Sequence, residues 1–263
     1  MEENLKQSLS EILKDPSRKE GIEGVFTPRI LVKRRFSFSD IGIEILNQKW
    51  IPNPAYDAEV NTAWRKKEQK VTAWDGTHYR VTNVSELEGN SGPLLLRLGT
   101  IPYRYIGTLS ELKKHYKESG SGPLNHLSTA AIIRTTDGYY LFGKRSGNGS
   151  IDLIGGGVQQ DELEVVSGVD LERNMYKEME EESGIQKQDV QEMTGVGILF
   201  SFTSNILIIA HAQLTLTKQE AEKVFVHKKD DEMEDLVFIP EAELAAFLRR
   251  MSSYRLLIPD LLG

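Results

Sequence analysis

The sequence predicts an α/β protein built on a mixed β-sheet flanked by helices, and three observations carry that expectation. Apolar, β-branched and aromatic runs of strand length recur along the chain, and amphipathic runs at helical spacing alternate with them. An Asp-Gly pair at Asp137-Gly138 joins two strand-like runs as a hairpin. The 263 residues exceed the roughly 100–200 of a common domain. The small, flexible run Ser119-Gly120-Ser121-Gly122-Pro123 supplies the clearest boundary. The expected division is therefore a smaller α+β domain at 1–123 and a second domain at 124–263.

In order along the chain, Leu5, Leu9, Ile12 and Leu13 recur at helical spacing until Asp15-Pro16 stops them. Arg29 to Phe38 and Ile41 to Leu46 read as strands, and a helix follows Pro54 through Trp64 to Lys70. Trp74-Asp75-Gly76-Thr77 marks a turn, Tyr79 to Val84 and Leu94 to Leu98 form a second pair of strands, and Ser110 to Tyr116 a short helix. Beyond the boundary come strands at Ser128 to Arg134 and Tyr139 to Lys144, then a turn at Gly155-Gly156-Gly157. An irregular stretch leads to a helix from about Asp170 to Ser183, ended by Gly184. Strands at Val196 to Phe202, Asn205 to Leu214 and Leu236 to Ile239 and helices at Lys218 to Lys223 and Glu241 to Met251 complete the pattern.

Composition narrows the chemistry. With no cysteine in the chain, disulfides, thiolate metal sites and cysteine nucleophiles are excluded, and any metal must be a hard ion on oxygen or imidazole ligands. A net charge of -7 argues against nucleic-acid binding through a basic surface. The most apolar stretch, Ile206 to Ala210, is far short of the ~20 residues that span a bilayer, and Met1-Glu2-Glu3 lacks a signal-peptide layout. A cytoplasmic protein without membrane contact is expected. The sequence sets no oligomeric state.

Acidity is concentrated at Glu178 to Glu182 and Asp230 to Asp235. Glu178, Glu181 and Glu182 stand at i, i+3 and i+4, so one face of the predicted helix carries three like charges that Lys177 only partly offsets. A solvated acidic face is one reading; a carboxylate set for Mg²⁺ or Mn²⁺ is the other. Arg145, at the end of a strand near the glycine turn, is placed either to hold a phosphate bidentately or simply to end that strand at the surface.

Gly156, then five residues, then Glu162, and later Lys177-Glu178-Met179-Glu180-Glu181-Glu182-Ser183-Gly184-Ile185 together resemble the signature of the Nudix hydrolases. Leu153-Ile154-Gly155-Gly156 stands where that family has Leu-Pro-Gly-Gly. Lys177 replaces the family's Arg, Ile154 its Pro, and fourteen residues separate Glu162 from Lys177 where the family has seven. The resemblance implies an α/β/α sandwich and a diphosphate hydrolase in which Glu178, Glu181, Glu182 and the main chain at Gly156 hold Mg²⁺ or Mn²⁺. It leaves the general base between a helix glutamate and a later acidic residue, Glu232 or Glu234, which stand where the family often has a further acidic ligand or base and otherwise read as a solvated loop.

Trp74-Asp75-Gly76-Thr77-His78-Tyr79-Arg80, Leu96-Arg97-Leu98-Gly99, Tyr103-Arg104 and Ile106-Gly107-Thr108 are similar to the UDP-glucose and UDP-galactose pyrophosphatases of that superfamily. That subgroup also has an N-terminal domain and an extended segment before the catalytic helix. The implied reaction splits a UDP-sugar into UMP and sugar 1-phosphate, with Tyr79, Arg80, Tyr103 and Arg104 either candidate substrate contacts or residues of core packing and surface charge. An ADP-ribose or other nucleoside diphosphate pyrophosphatase, or a non-catalytic nucleotide-sugar-binding module, are the alternatives. His126 and His211 fall in no motif and are expected to be structural.

Overall fold

The structure, a computed structural model, describes residues 27–69, 74–86, 92–201, 205–251 and 253–262. The expected helix over residues 4–14 lies outside them. Strands β1 (Arg29–Phe36), β2 (Ile41–Lys49), β3 (Thr77–Glu86), β4 (Leu94–Pro102), β5 (His126–Arg134), β6 (Tyr139–Arg145), β7 (Ile151–Asp152), β8 (Ile154–Gly157), β9 (Val190–Phe200), β10 (Asn205–Leu214) and β11 (Met233–Pro240) join one sheet. Its main path runs β1-β9-β10-β5-β3-β4-β2. The β10–β5 and β2–β4 pairs are parallel and the others antiparallel, which makes the sheet mixed as expected.

Strand β5 organises the site. One edge pairs with β10 throughout, from His126 opposite Asn205 to Arg134 opposite Gln213. The other edge is divided among three partners: β3 at His126, β8 at Ser128 to Ala131, and β6 at Ile133 and Arg134. The β5–β6 hairpin turns at Gly138, whose φ of 82° meets the left-handed requirement that the Asp-Gly pair signalled.

The two faces of β5 feed two cores, because side chains alternate across a strand. Leu127, Ala131 and Ile133 join one apolar cluster and Ala130 and Ile132 another. Helix α4 (Gly168–Ser183) covers the first face with Leu171, Met175 and Met179, spaced four apart and completely buried. Burial of each such side chain stabilises by about 1.5–3 kcal/mol. Helices α6 (Glu241–Arg250) and α7 (Ile258–Leu262) cover the second face with Leu244, Leu248 and Leu261. The result is a helix–sheet–helix sandwich.

A third cluster joins α1 (Pro54–Glu68), α2 (Tyr103–Gly107) and α3 (Leu109–Ser119) through Trp50, Tyr56, Tyr105 and Tyr116. The remaining short helix, α5 (Lys218–Val224), contributes Ala221 to the first core. Among the described residues no helix is long and apolar enough to cross a membrane.

Three local expectations are corrected. The strand from Arg29 ends at Phe36 rather than Phe38, because Ser37 caps a 3-10 turn at Phe38–Asp40. Strand β9 begins at Val190, well before Val196. The glycine triplet is not a free turn but most of β8, antiparallel to β5. Glycine is disfavoured in strands, yet here close approach demands it: a Cβ on Gly155 would lie 2.2 Å from the Thr129 carbonyl oxygen. The boundary at 123 falls in irregular chain after Gly120, and hydrogen-bonded pairing crosses it, β1 onto β9 and β3 onto β5.

Candidate active site

Helix α4 carries its carboxylates to the glycine strand. Ser167 and Asp170 form a capping box at its start, and Gly184, with φ 74°, ends it in the left-handed conformation. In the last turn Glu182, 1% exposed, accepts a hydrogen bond from the Gly155 N–H at 2.8 Å. One turn earlier Glu178 lies against Gly156, so closely that a Cβ there would stand 2.2 Å from Glu178 Oε2. Glu181 is more exposed and faces Lys177 at 3.5 Å. Lys177 also forms an ion pair with Glu162, so the fourteen intervening residues still bring these two groups together.

Burial sets the electrostatics of this pair. It pushes the Glu178 carboxyl up to about 7, with Lys177 opposing, and the Glu182 carboxyl up to about 9, with the Gly155 N–H and Arg145 opposing. The C-terminal end of a helix dipole disfavours these charges further. Arg145 lies 3.9 Å from Glu182, 3.6 Å from Asp152 and 2.9 Å from Glu232. Two desolvated carboxylates with so little compensation are oxygen groups whose charge a hard cation would offset. Among the described residues, however, no three His, Asp or Glu side chains are gathered closely enough to hold a metal ion.

Glu178 opens into a cleft of about 720 Å³ that both halves of the chain line. Glu178, Arg145, Glu232 and the glycine strand form one side. Aromatic rings also line the cleft: His78 stacks on Tyr103 at 5.0 Å and 25°, Trp64 meets Tyr103 edge-on at 6.1 Å, and Trp74 lies 6.1 Å from His78. Asp152, Tyr254 and Arg255 line the wall beside the glycines.

Of the residues expected from sequence, the structure brings Glu178, Gly156, Arg145, Glu232 and Tyr103 to the cleft. Glu182 lies behind Gly155 and Glu181 toward Lys177. Glu234 pairs with Lys144 at 2.7 Å, and Arg104 with Asp75 at 2.7 Å; neither lines the cleft. Tyr79 accepts from the Val165 N–H, and Arg80 donates to the carbonyls of Pro123 and Leu124, so both serve packing. His126 is buried in a 2.8 Å contact with His78 and also lines the cleft. His211 is set edge-on to Tyr140. Sequence reasoning missed Asp152, Tyr254 and Arg255, which no local motif marks.

The histidine pair has a measurable consequence. Burial lowers His78 to about 4, against Glu162, Asp161 and Asp75, and lowers His126 to about 3 with His78 assisting. Both are neutral in the fold, whereas the unfolded chain takes up protons near 6.5. Their contribution to stability is complete above about pH 6.5 and falls, by up to about 1.4 kcal/mol per pH unit for each, as pH drops toward 4. Urea titrations across that range should show a shallower loss in His126→Gln than in the native protein. Identical slopes would contradict the assignment.

No family model matches the chain, and no curated protein matches it. Among solved structures it is similar to a Nudix hydrolase from Nitrosomonas europaea, at 16% identity over 52% of this chain and 85% of that one, with a TM-score of 0.32. It is also similar to a MutT protein from Methanosarcina mazei Go1, at 21% identity over 52% and 88%, TM-score 0.35. A NUDIX-family hydrolase from Clostridium perfringens shares 11% identity over 53% and 99%, TM-score 0.32. Likenesses of this size assign no function, which has to come from the residues of the cleft.

Proposed function

We propose that the chain is a Nudix-type hydrolase that uses Mg²⁺ or Mn²⁺ to cleave a nucleoside diphosphate linked to a second moiety, with a UDP-sugar giving UMP and sugar 1-phosphate as the favoured substrate. The observation that carries this reading is the placement of Glu178 and Glu182 against the glycine strand, with Glu178 and Arg145 lining a large cleft. Glu178, Glu181, Glu182 and the main chain at Gly156 would hold the cation, which supplies charge neutralisation and an activated water when bound. Arg145 grips a phosphate oxygen in exchange for its exposed partner Glu232. Glu232, once released, is the cleft carboxylate best placed to accept a proton, while Glu234 is engaged by Lys144. Tyr103 and His78 offer a planar surface on which a base or sugar ring stacks. A cytoplasmic location accords with the absence of cysteine.

Incubation with UDP-glucose, ADP-ribose, dinucleoside polyphosphates and nucleoside triphosphates, with and without Mg²⁺ or Mn²⁺, tests the reading. Metal-dependent release of UMP from UDP-glucose, at the highest kcat/KM of the panel, is expected. A higher value for ADP-ribose would move the substrate assignment, and no product from any compound would end the hydrolase reading. The dispersed carboxylates favour one second reading, a binding module without turnover. Calorimetric binding of UDP-glucose without hydrolysis would select it.

A further inference from the structure

Resting on the reading of the cleft as a diphosphate site, we propose that Arg255 is a second phosphate-gripping residue, and that Asp152 is the positioning residue that aims it. Asp152 sits on β7, three residues before Gly155, so its carboxylate is fixed relative to the glycine strand. Its Oδ1 accepts from the Tyr254 hydroxyl at 2.6 Å and from Arg255 Nε at 3.1 Å. Its Oδ2 lies 2.6 Å from Arg255 Nη2 and 3.6 Å from Arg145 Nε. Two guanidinium groups, one ending β6 and one from the 3-10 turn Ser253–Leu257, thus meet over a single carboxylate.

Charge and geometry point the same way. Asp152 neutralises one guanidinium; the other carboxylates beside Arg145 are Glu182, 3.9 Å away, and Glu232, on an exposed side chain that a ligand can displace. Asp152 stays ionised: burial pushes its pKa up, but the bonds from Arg255 and Tyr254 outweigh this and hold it below the usual carboxylate range. The Arg255 side chain is only 14% exposed yet lines the cleft, and its bonds to Asp152 use Nε and Nη2, not Nη1. A mostly desolvated guanidinium beside a second one is suited to an oxyanion, and a planar fork matches phosphate oxygens bidentately. A diphosphate, with adjacent anionic groups, matches two adjacent arginines. The segment near the C-terminal end of the sequence therefore helps to form the substrate site in addition to closing the second core.

Calorimetry with inorganic diphosphate at fixed Mg²⁺, read beside thermal melting, tests this. Arg255→Gln is expected to weaken binding tenfold or more with a melting temperature close to native, and Arg255→Lys to lose nearly as much because a point charge replaces the fork. Asp152→Asn should lose several-fold. Glu241→Gln, whose ion pair with Arg134 lies away from the cleft, should bind within twofold of native. Binding by Arg255→Gln within twofold of native overturns the proposal; if that variant does not fold, the same result for Arg255→Lys does so. A native protein that cleaves nucleotide substrates but does not bind inorganic diphosphate also overturns it, while the parent reading stands. A native protein that does neither removes both.

Discussion

Glu182→Gln is expected to lower kcat by at least ~100-fold, a loss of about 2.7 kcal/mol in transition-state stabilisation, while leaving the protein folded. The substitution keeps the shape of the side chain, and the new carboxamide oxygen can still accept the Gly155 N–H. What it removes is a carboxyl whose charged form the fold itself disfavours. Burial pushes this carboxyl up to about 9, it lies in the last turn of a helix, and Arg145 at 3.9 Å offsets only part of the cost. The variant should therefore unfold at the same or a higher urea concentration than the native protein. Loss of activity with retained or increased stability would mark Glu182 as a group kept for chemistry at the expense of the fold. Native turnover in this variant would take the residue out of the site.

Gly155→Ala is expected to cost about 3 kcal/mol or more in unfolding free energy, and activity with it. The backbone at Gly155 has φ 152°, and the added Cβ would meet the Thr129 carbonyl oxygen at 2.2 Å and the Ala130 Cα at 2.6 Å. Both obstacles are main chain of β5, so no side-chain rotation relieves them, and β8 must move away from β5. That movement also carries the Gly155 N–H away from Glu182. Gly122→Ala, where a Cβ meets nothing within 4 Å, is the matched control and should stay within about 0.5 kcal/mol of native. Equal urea midpoints for the two variants would refute the close-packing account of the glycine strand.

The features legible in the sequence were those with local causes. Helix α4 was legible in the stop at Gly184 and in the i, i+3 and i+4 spacing of Glu178, Glu181 and Glu182. β10 was readable end to end because its apolar run is bounded by turn residues. The glycine triplet was visible as a glycine-rich segment but not as a strand, since its conformation is dictated by a neighbour that sequence spacing does not reveal. Arg145 and Glu232 stood out separately; their pairing depends on β6 lying antiparallel to β11, with Arg145 opposite Met233. Asp152 and Arg255 are 103 positions apart and meet only because α6 and α7 fold back over the sheet. Long-range partnership of this kind leaves no trace in periodicity, charge or motif.

The pairing of β1 with β9 has a consequence in time. Arg29 is opposite Phe200, so the ribosome delivers β1 roughly 170 residues before its partner strand exists. Until then β1 is an unpaired strand with hydrogen-bonding groups open to any passing chain. The run Lys33-Arg34-Arg35 keeps that waiting strand charged and so resistant to edge-to-edge association. A pairing of this sequence separation costs loop-closure entropy before its contacts form, which slows folding of the sheet.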